Sequence, residues 1–249
     1  MAEAKTHWIS DLMSSPVPGV ASDAGEEIRR MVNRNPLIQE CAAGNPRAMV
    51  AMYIGNWPYI NGFPPAIYDL LKRRVVRDDL NKTFGGATKE VVGQLARVFR
   101  GVAQEERAHS REWVFSASAV GITREQLHAD PLPEVEALLV QAFDSNPLPA
   151  ILALVATELI ATHSSVRLLE SNRFLEAHNH PRALRWYLEH VLPHDGPDHQ
   201  ALQLYFASRV FRGHAEEMGQ PLPLVVWNTE VGFAESYNRA SNVILEKLA

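Results

Sequence analysis

Glu106 and His109 stand three residues apart in the segment EERAHSREW, residues 105–113. At the helical period of about 100° per residue, both fall within about 40° of the apolar stripe formed by Leu95, Val98, Val102 and Trp113. Residues three apart on a helix are neighbours on one face. A carboxylate turned toward a core is costly unless it is paired or bound to a metal. The pair therefore fits two readings equally: a metal-binding step on a helix, or a helix end that has turned polar. Glu158 is the stronger signal, because it interrupts the apolar run AILALVATELIA. An ionised Glu there needs a cation, or else an Arg or a hydroxyl such as Thr162 as partner.

A third cluster lies in WYLEHVLPHDGPDHQALQLYF, residues 186–206, which holds His190, His194, Asp195, Asp198 and His199. His199 heads a stripe with Leu202, Phe206 and Val210 and is expected to face inward. Asp195 lies four residues earlier, on the same side if the helix reaches that far. It reads otherwise as a helix cap, with Pro197 and Asp198 in the first turn. A cap alone leaves the inward histidines on both sides unexplained. His163 is about 140° around the helix from Glu158 and reads as surface. His7, His128, His178, His180 and His214 sit in polar contexts and carry no functional signal.

Glu106, His109, Glu158, His190, Asp195 and His199 together give carboxylates and imidazoles from separate helical segments. Mixed oxygen and nitrogen ligation without sulfur suits iron or manganese, and two such ions share bridging carboxylates well. A ferritin-like bundle needs a second Glu-x-x-His on another long helix. The other match, Glu125 to His128, lies on a short segment ending at Pro131, so that topology is rejected. Zinc hydrolysis is disfavoured because His-Glu-x-x-His is absent.

The elements that must position these residues read as helices over 22–34, 46–57, 64–82, 88–119, 134–144, 149–171, 181–192, 198–218 and 222–247. Asp23, Asn45 and Asp144 read as caps or turn residues. Strand alternation is hard to find, and proline-rich breaks at 16–18, 131–133 and 221–223 punctuate helices rather than form linkers. The expectation is an all-α single domain over residues 1–249, with residues 1–20 an N-terminal extension. A length of 249 residues allows one large domain, and 46% apolar with 21% charged residues excludes a disordered chain. The net charge of −5 argues against nucleic acid or an anionic membrane as partner. Cys41 is the sole cysteine, which excludes an internal disulfide, a thiolate zinc site and an iron–sulfur cluster. The longest apolar stretch, Leu148 to Ala156, is short of the ~20 residues of a membrane span, and no signal pattern leads the chain, so the expected location is cytoplasmic.

Over roughly residues 46–212 the chain resembles the heme-oxygenase-like di-iron oxidases and oxygenases. That superfamily shares its seven-helix bundle with heme oxygenase, TenA-type thiaminases and pyrroloquinoline-quinone synthase. YIGNWPYINGFPPAI (53–67) looks like the turn before the first long core helix. EERAHSREW is similar to the Glu-x-x-His-x-x-x-Trp element of the fatty-acid decarboxylases that form terminal alkenes. ATELIATHSS (156–165) resembles the mid-helix Glu region, and EHVLPHDGPDH (189–199) the closing His, Asp and His element. Two departures stand out. Asn61 falls where those decarboxylases often carry a carboxylate, and His190 to Asp195 is one residue longer than the usual spacing, so His194 or Asp198 could replace a chosen ligand.

The resemblance implies two ferrous ions and dioxygen as co-substrate. Glu106, His109 and His199 would hold one iron, and Glu158, His190 and Asp195 would hold or bridge to the other. The substrate would be a small molecule, an amino acid or a fatty acid, as in natural-product biosynthesis. Trp57, Asn61, Phe63 and Trp113 would line its pocket. An external electron donor and a homodimer are further expectations. Two alternatives remain open: a metal-independent enzyme like the thiaminase or quinone-synthase branches, and a non-enzymatic helical binding protein.

Overall fold

The computed structural model describes residues 20–84, 89–192 and 199–249. Every regular element among them is helical. In chain order they are α1 (Val20–Arg34), α2 (Pro36–Ala42), α3 (Pro46–Lys72), α4 (Arg74–Thr83), α5 (Lys89–Ala119), α6 (Arg124–Leu127) and α7 (Pro133–Ala142). There follow α8 (Pro147–Leu169), α9 (Asn172–Ala177), a 3-10 turn (Pro181–Leu184) and α10 (Arg185–Glu189). The chain closes with α11 (His199–Tyr205), a π turn (Phe206–Val210), α12 (Arg212–Glu217) and α13 (Leu222–Leu248).

Helix α8 is the axis of the bundle. Over residues 148–156 it is apolar on every side, as a helix surrounded by others must be. Leu148 and Ala150 through Ala156 are all essentially inaccessible to solvent. It packs against α1, α3, α7, α11 and α13. By length and hydropathy it could cross a membrane, the single such helix among the described residues, but most of it is buried against its neighbours and Glu158 sits at its middle.

The proline-bearing region 46–72 corrects a sequence expectation. Pro58, Pro64 and Pro65 predict a break between 57 and 64, yet α3 runs through all of them. A proline inside a helix leaves the carbonyl four residues back without its N–H partner. Pro64 does this to Ile60, and the Ile60 carbonyl instead accepts the Ser110 hydroxyl of α5 at 3.1 Å. Helix α3 and helix α5 are thus fastened beside Glu106 and His109. At Gly55 helices α3 and α13 meet closely, since a Cβ there would lie 2.6 Å from Ile244.

Other boundaries differ for local reasons. Residues 181–192 form a tight turn and a short helix that ends at His190, with Pro181 in the first turn of the segment. The helix expected over 198–218 is divided by the π turn, in which the Phe211 N–H reaches the Phe206 carbonyl at 2.9 Å. Asn45 caps α3 as expected, accepting from the N–H groups of Arg47 and Ala48. Asp144 accepts from Asn146 N–H, while Asn146 itself caps α8. Asp23 lies inside the first turn of α1 rather than before it. The short helix α2 was missed, although Asn35 followed by Pro36 is a readable start signal.

Candidate metal centre

Helix α5 supplies Glu106 and His109, α8 supplies Glu158, the end of α10 supplies His190, and α11 begins with His199. These five side chains meet in the interior, where Glu106, His109, Glu158 and His199 are each more than nine-tenths buried. Asp195, together with His194 and Asp198, lies outside the described residues.

The five form two overlapping groups. Glu106, His109 and His190 make one, and Glu106, Glu158 and His199 make the other, with ligand atoms in each within 4.8 Å of one another. In these groups His199 lies with Glu158 and His190 with His109, whereas the resemblance pairs His199 with His109 and His190 with Glu158. Glu106 belongs to both. His190 packs its ring on His109 at 4.9 Å between centroids, while the His199 ring lies 6.5 Å from His109.

The charges of the cluster are held against one another. Oε1 of Glu106 and Oε1 of Glu158 are buried and lack a well-formed hydrogen bond. Both approach His199 Nδ1, at 3.0 and 3.5 Å. Burial and the nearby Glu106 charge push the Glu158 carboxyl above its ordinary range. Burial pushes Glu106 the same way, but contacts to His109 and His199 outweigh it and hold that carboxyl low. Burial disfavours a charged His199, yet Glu106 and Glu158 raise its pKa to about 11. The imidazolium therefore stands where a cation belongs.

His190 is the opposite case. Its Nδ1–H donates to the Trp186 carbonyl at 2.6 Å, which leaves Nε2 with the lone pair. Burial and the neighbouring His109 bring its pKa down to about 4, so it is a neutral imidazole ready to ligate. A second nitrogen tied to a carbonyl or carboxylate is the usual support of a metal-binding histidine. His199 has the same feature: its Nε2 lies 2.7 Å from Glu105 Oε2. Glu105 was missed in the sequence because it falls about 60° off the apolar stripe; its one signal is adjacency to Glu106. The donor set of carboxylates and imidazoles fits iron or manganese.

A cavity of about 30 Å³ touches this cluster, lined by Glu106, His109, Glu158, His190, Phe63 and Tyr59 among others. A second, about 70 Å³ and mostly apolar, shares Tyr59, Ile60, Thr157, Ala161 and Trp186 with it and extends to Trp113 and Tyr187. Phe63 lines the smaller cavity and Trp113 the larger. Asn61 does not: it is exposed on the outer face of α3. Trp57 is buried but packs against His128, and neither cavity includes it. The inward positions of α3 are Asn56, Tyr59, Ile60 and Phe63, so no carboxylate of that helix reaches the site. Cys41 is fully buried, and burial pushes its thiol far up, which makes it unsuited to nucleophilic work.

No protein-family model matches the chain, and no curated protein matches it. Among solved structures it is similar to the crystal structure of a TenA homolog from Pseudomonas syringae pv. tomato str. DC3000. The TM-score is 0.67 at 16% sequence identity, over 94% of this chain and 98% of that one. The two share their helical fold.

Proposed function

We propose that this chain is a non-heme di-iron enzyme that uses dioxygen to oxidise or oxygenate a small organic substrate. The observation that carries the reading is the pair of buried ligand groups sharing Glu106, with oxygens of Glu106 and Glu158 converging on His199 without a well-formed hydrogen bond. Glu106, His109 and His190 would hold one ion; Glu106, Glu158 and His199 the other. Two irons there would supply the one-electron chemistry that dioxygen reduction requires. His190 presents a neutral nitrogen, Glu105 orients His199, and Tyr59 with Thr157, hydrogen-bonded at 2.5 Å, borders the cavity at the cluster. The apolar second cavity suits the hydrocarbon part of a fatty acid or an amino acid. An external donor would supply electrons where the reaction needs them.

The test is anaerobic ferrous loading, iron analysis, and dioxygen uptake across a panel of fatty acids and amino acids. Two irons per chain with substrate-stimulated uptake is the expected result. Failure to bind iron, or full binding in both Glu158→Ala and His199→Ala, rules the reading out. The fold likeness to a TenA homolog favours a second reading, in which the same residues shuttle protons on an organic ligand without metal. Turnover that persists under strong chelation would select it.

A further inference from the structure

Next to the candidate centre begins a continuous line of aromatic rings. His190 stacks on Trp186 with centroids 4.2 Å apart. Trp186 meets Trp113 at 4.7 Å, and Trp113 meets Tyr53 at 4.8 Å. The line ends in a buried chain of hydrogen bonds. Tyr187 O–H donates to Tyr53 Oη at 2.6 Å, and Tyr53 Oη lies 2.6 Å from His178 Nε2. His178 Nδ1–H donates to the Phe174 carbonyl at 2.8 Å, so Nε2 is an acceptor and Tyr53 is the donor to it. Tyr53, His178 and Tyr187 are all fully buried. Burial lowers the His178 pKa, which keeps the ring neutral and able to take a proton.

An electron leaves a phenol readily only if its proton departs at the same time. Buried phenols have no water to take that proton, and Tyr53 has a neutral imidazole aligned for it. Tryptophan and tyrosine are the side chains most easily oxidised by one electron, and here they touch in sequence from a candidate ligand. We propose that Trp186, Trp113 and Tyr53 form a relay that carries a one-electron oxidising equivalent from the metal centre to Tyr53, with His178 as proton acceptor. In the step, one electron would pass from the Tyr53 ring through Trp113 and Trp186 to a one-electron oxidant at the candidate centre, which it would reduce by one; iron held there by Glu106, His109, His190, Glu158 and His199 would supply that oxidising power with dioxygen. The Oη–H bond breaks, its proton moves to His178 Nε2, and a neutral tyrosyl radical remains, hydrogen-bonded to Tyr187. Trp113, Trp186 and Tyr187 also line the apolar cavity. Substrate seated there intercepts the oxidant first, so the relay drains it when the cavity is empty.

The oxidant in this inference rests on the di-iron reading; the relay itself does not. Two measurements separate them. In the first, ferrous-loaded protein is mixed with dioxygen without substrate, freeze-quenched and examined by electron paramagnetic resonance, with and without ring-deuterated tyrosine. The expected signal is a tyrosyl radical that narrows on deuteration, disappears in Tyr53→Phe and His178→Gln, and falls severalfold in Trp113→Phe, with iron content unchanged in all three. In the second, metal-free protein is oxidised by a photogenerated ruthenium(III) polypyridyl complex. A Tyr53-dependent radical there alone keeps the relay and discards the iron. A tyrosyl signal undiminished in Tyr53→Phe, or no Tyr53-dependent radical in either arm, overturns the relay.

Discussion

Two polar clusters are buried in the bundle, one lining the smaller cavity and the other reaching the apolar cavity through Tyr187, and they are built on opposite principles. The tyrosine cluster is neutral and complete: each of Tyr187, Tyr53 and His178 has its partner, ending on the Phe174 carbonyl. The carboxylate cluster is charged and incomplete, with buried oxygens of Glu106 and Glu158 lacking well-formed hydrogen bonds. Buried polar groups are normally satisfied, and a shortfall calls for a specific cause. A satisfied network can serve packing alone. One built from acids and imidazoles, with oxygens short of well-formed hydrogen bonds, is what the proposed metal reading calls for. Glu230 of α13 sharpens the contrast, because its carboxyl is wholly inaccessible and neither oxygen has a hydrogen bond. It stands without the ring of histidines that marks the first cluster, and burial pushes its pKa up to about 8, so it stays protonated at neutral pH.

The largest effect that would break this comparison concerns the shared carboxylate. Glu106→Ala should abolish binding of both irons, read as metal content after desalting, because each group loses a ligand. If one full equivalent of iron stays, the two groups are independent. Removing an unshared ligand should do less: Glu158→Ala or His190→Ala should each keep one ion, and loss of both would mean a single site. Next comes the neutral carboxyl. Glu230 with a folded pKa of about 8 binds its proton more tightly than the unfolded chain, whose Glu titrates near 4.5. Between those values the unfolded state holds fewer protons, so stability falls as pH rises, by about 1.4 kcal/mol per pH unit from this group. Glu230→Gln should therefore stabilise the protein at pH 8 relative to pH 5, measured by urea unfolding; an equal difference at both pH values would contradict it. The smallest effect falls on the complete cluster. Tyr187→Phe removes a donor to Tyr53 and should cost about 1 kcal/mol of unfolding free energy, with iron binding unaltered.

Both clusters test how far a sequence can be read. Glu106, His109, Glu158 and His199 are legible because each breaks an apolar helical stripe, and burial of charge is rare enough to be noticed. His178 was passed over as a polar-context residue, since HNHPR around it reads as a turn. Its burial comes from Phe174, Tyr53 and Tyr187, which are remote or scattered in sequence. The long helices were readable from periodicity, whereas α3 was divided in error: nothing local tells that Ser110, fifty residues away, will take up the carbonyl freed by Pro64. Asn61 misled for a similar reason. Alignment to a motif places it near the site, but the helix passing through the prolines turns it to solvent.

The π turn after His199 holds one residue more than an ordinary coil of the same helix would need. Five residues of that coil turn through about the same angle as four of an ordinary one, so deleting a residue from 206–210 would tighten the coil and leave the residues downstream facing much as before. His214, which bonds Asp79 of α4 at 2.7 Å, would keep that partner. The extra residue is thus absorbed where it stands, and the closing arm keeps its clocking against the rest of the bundle.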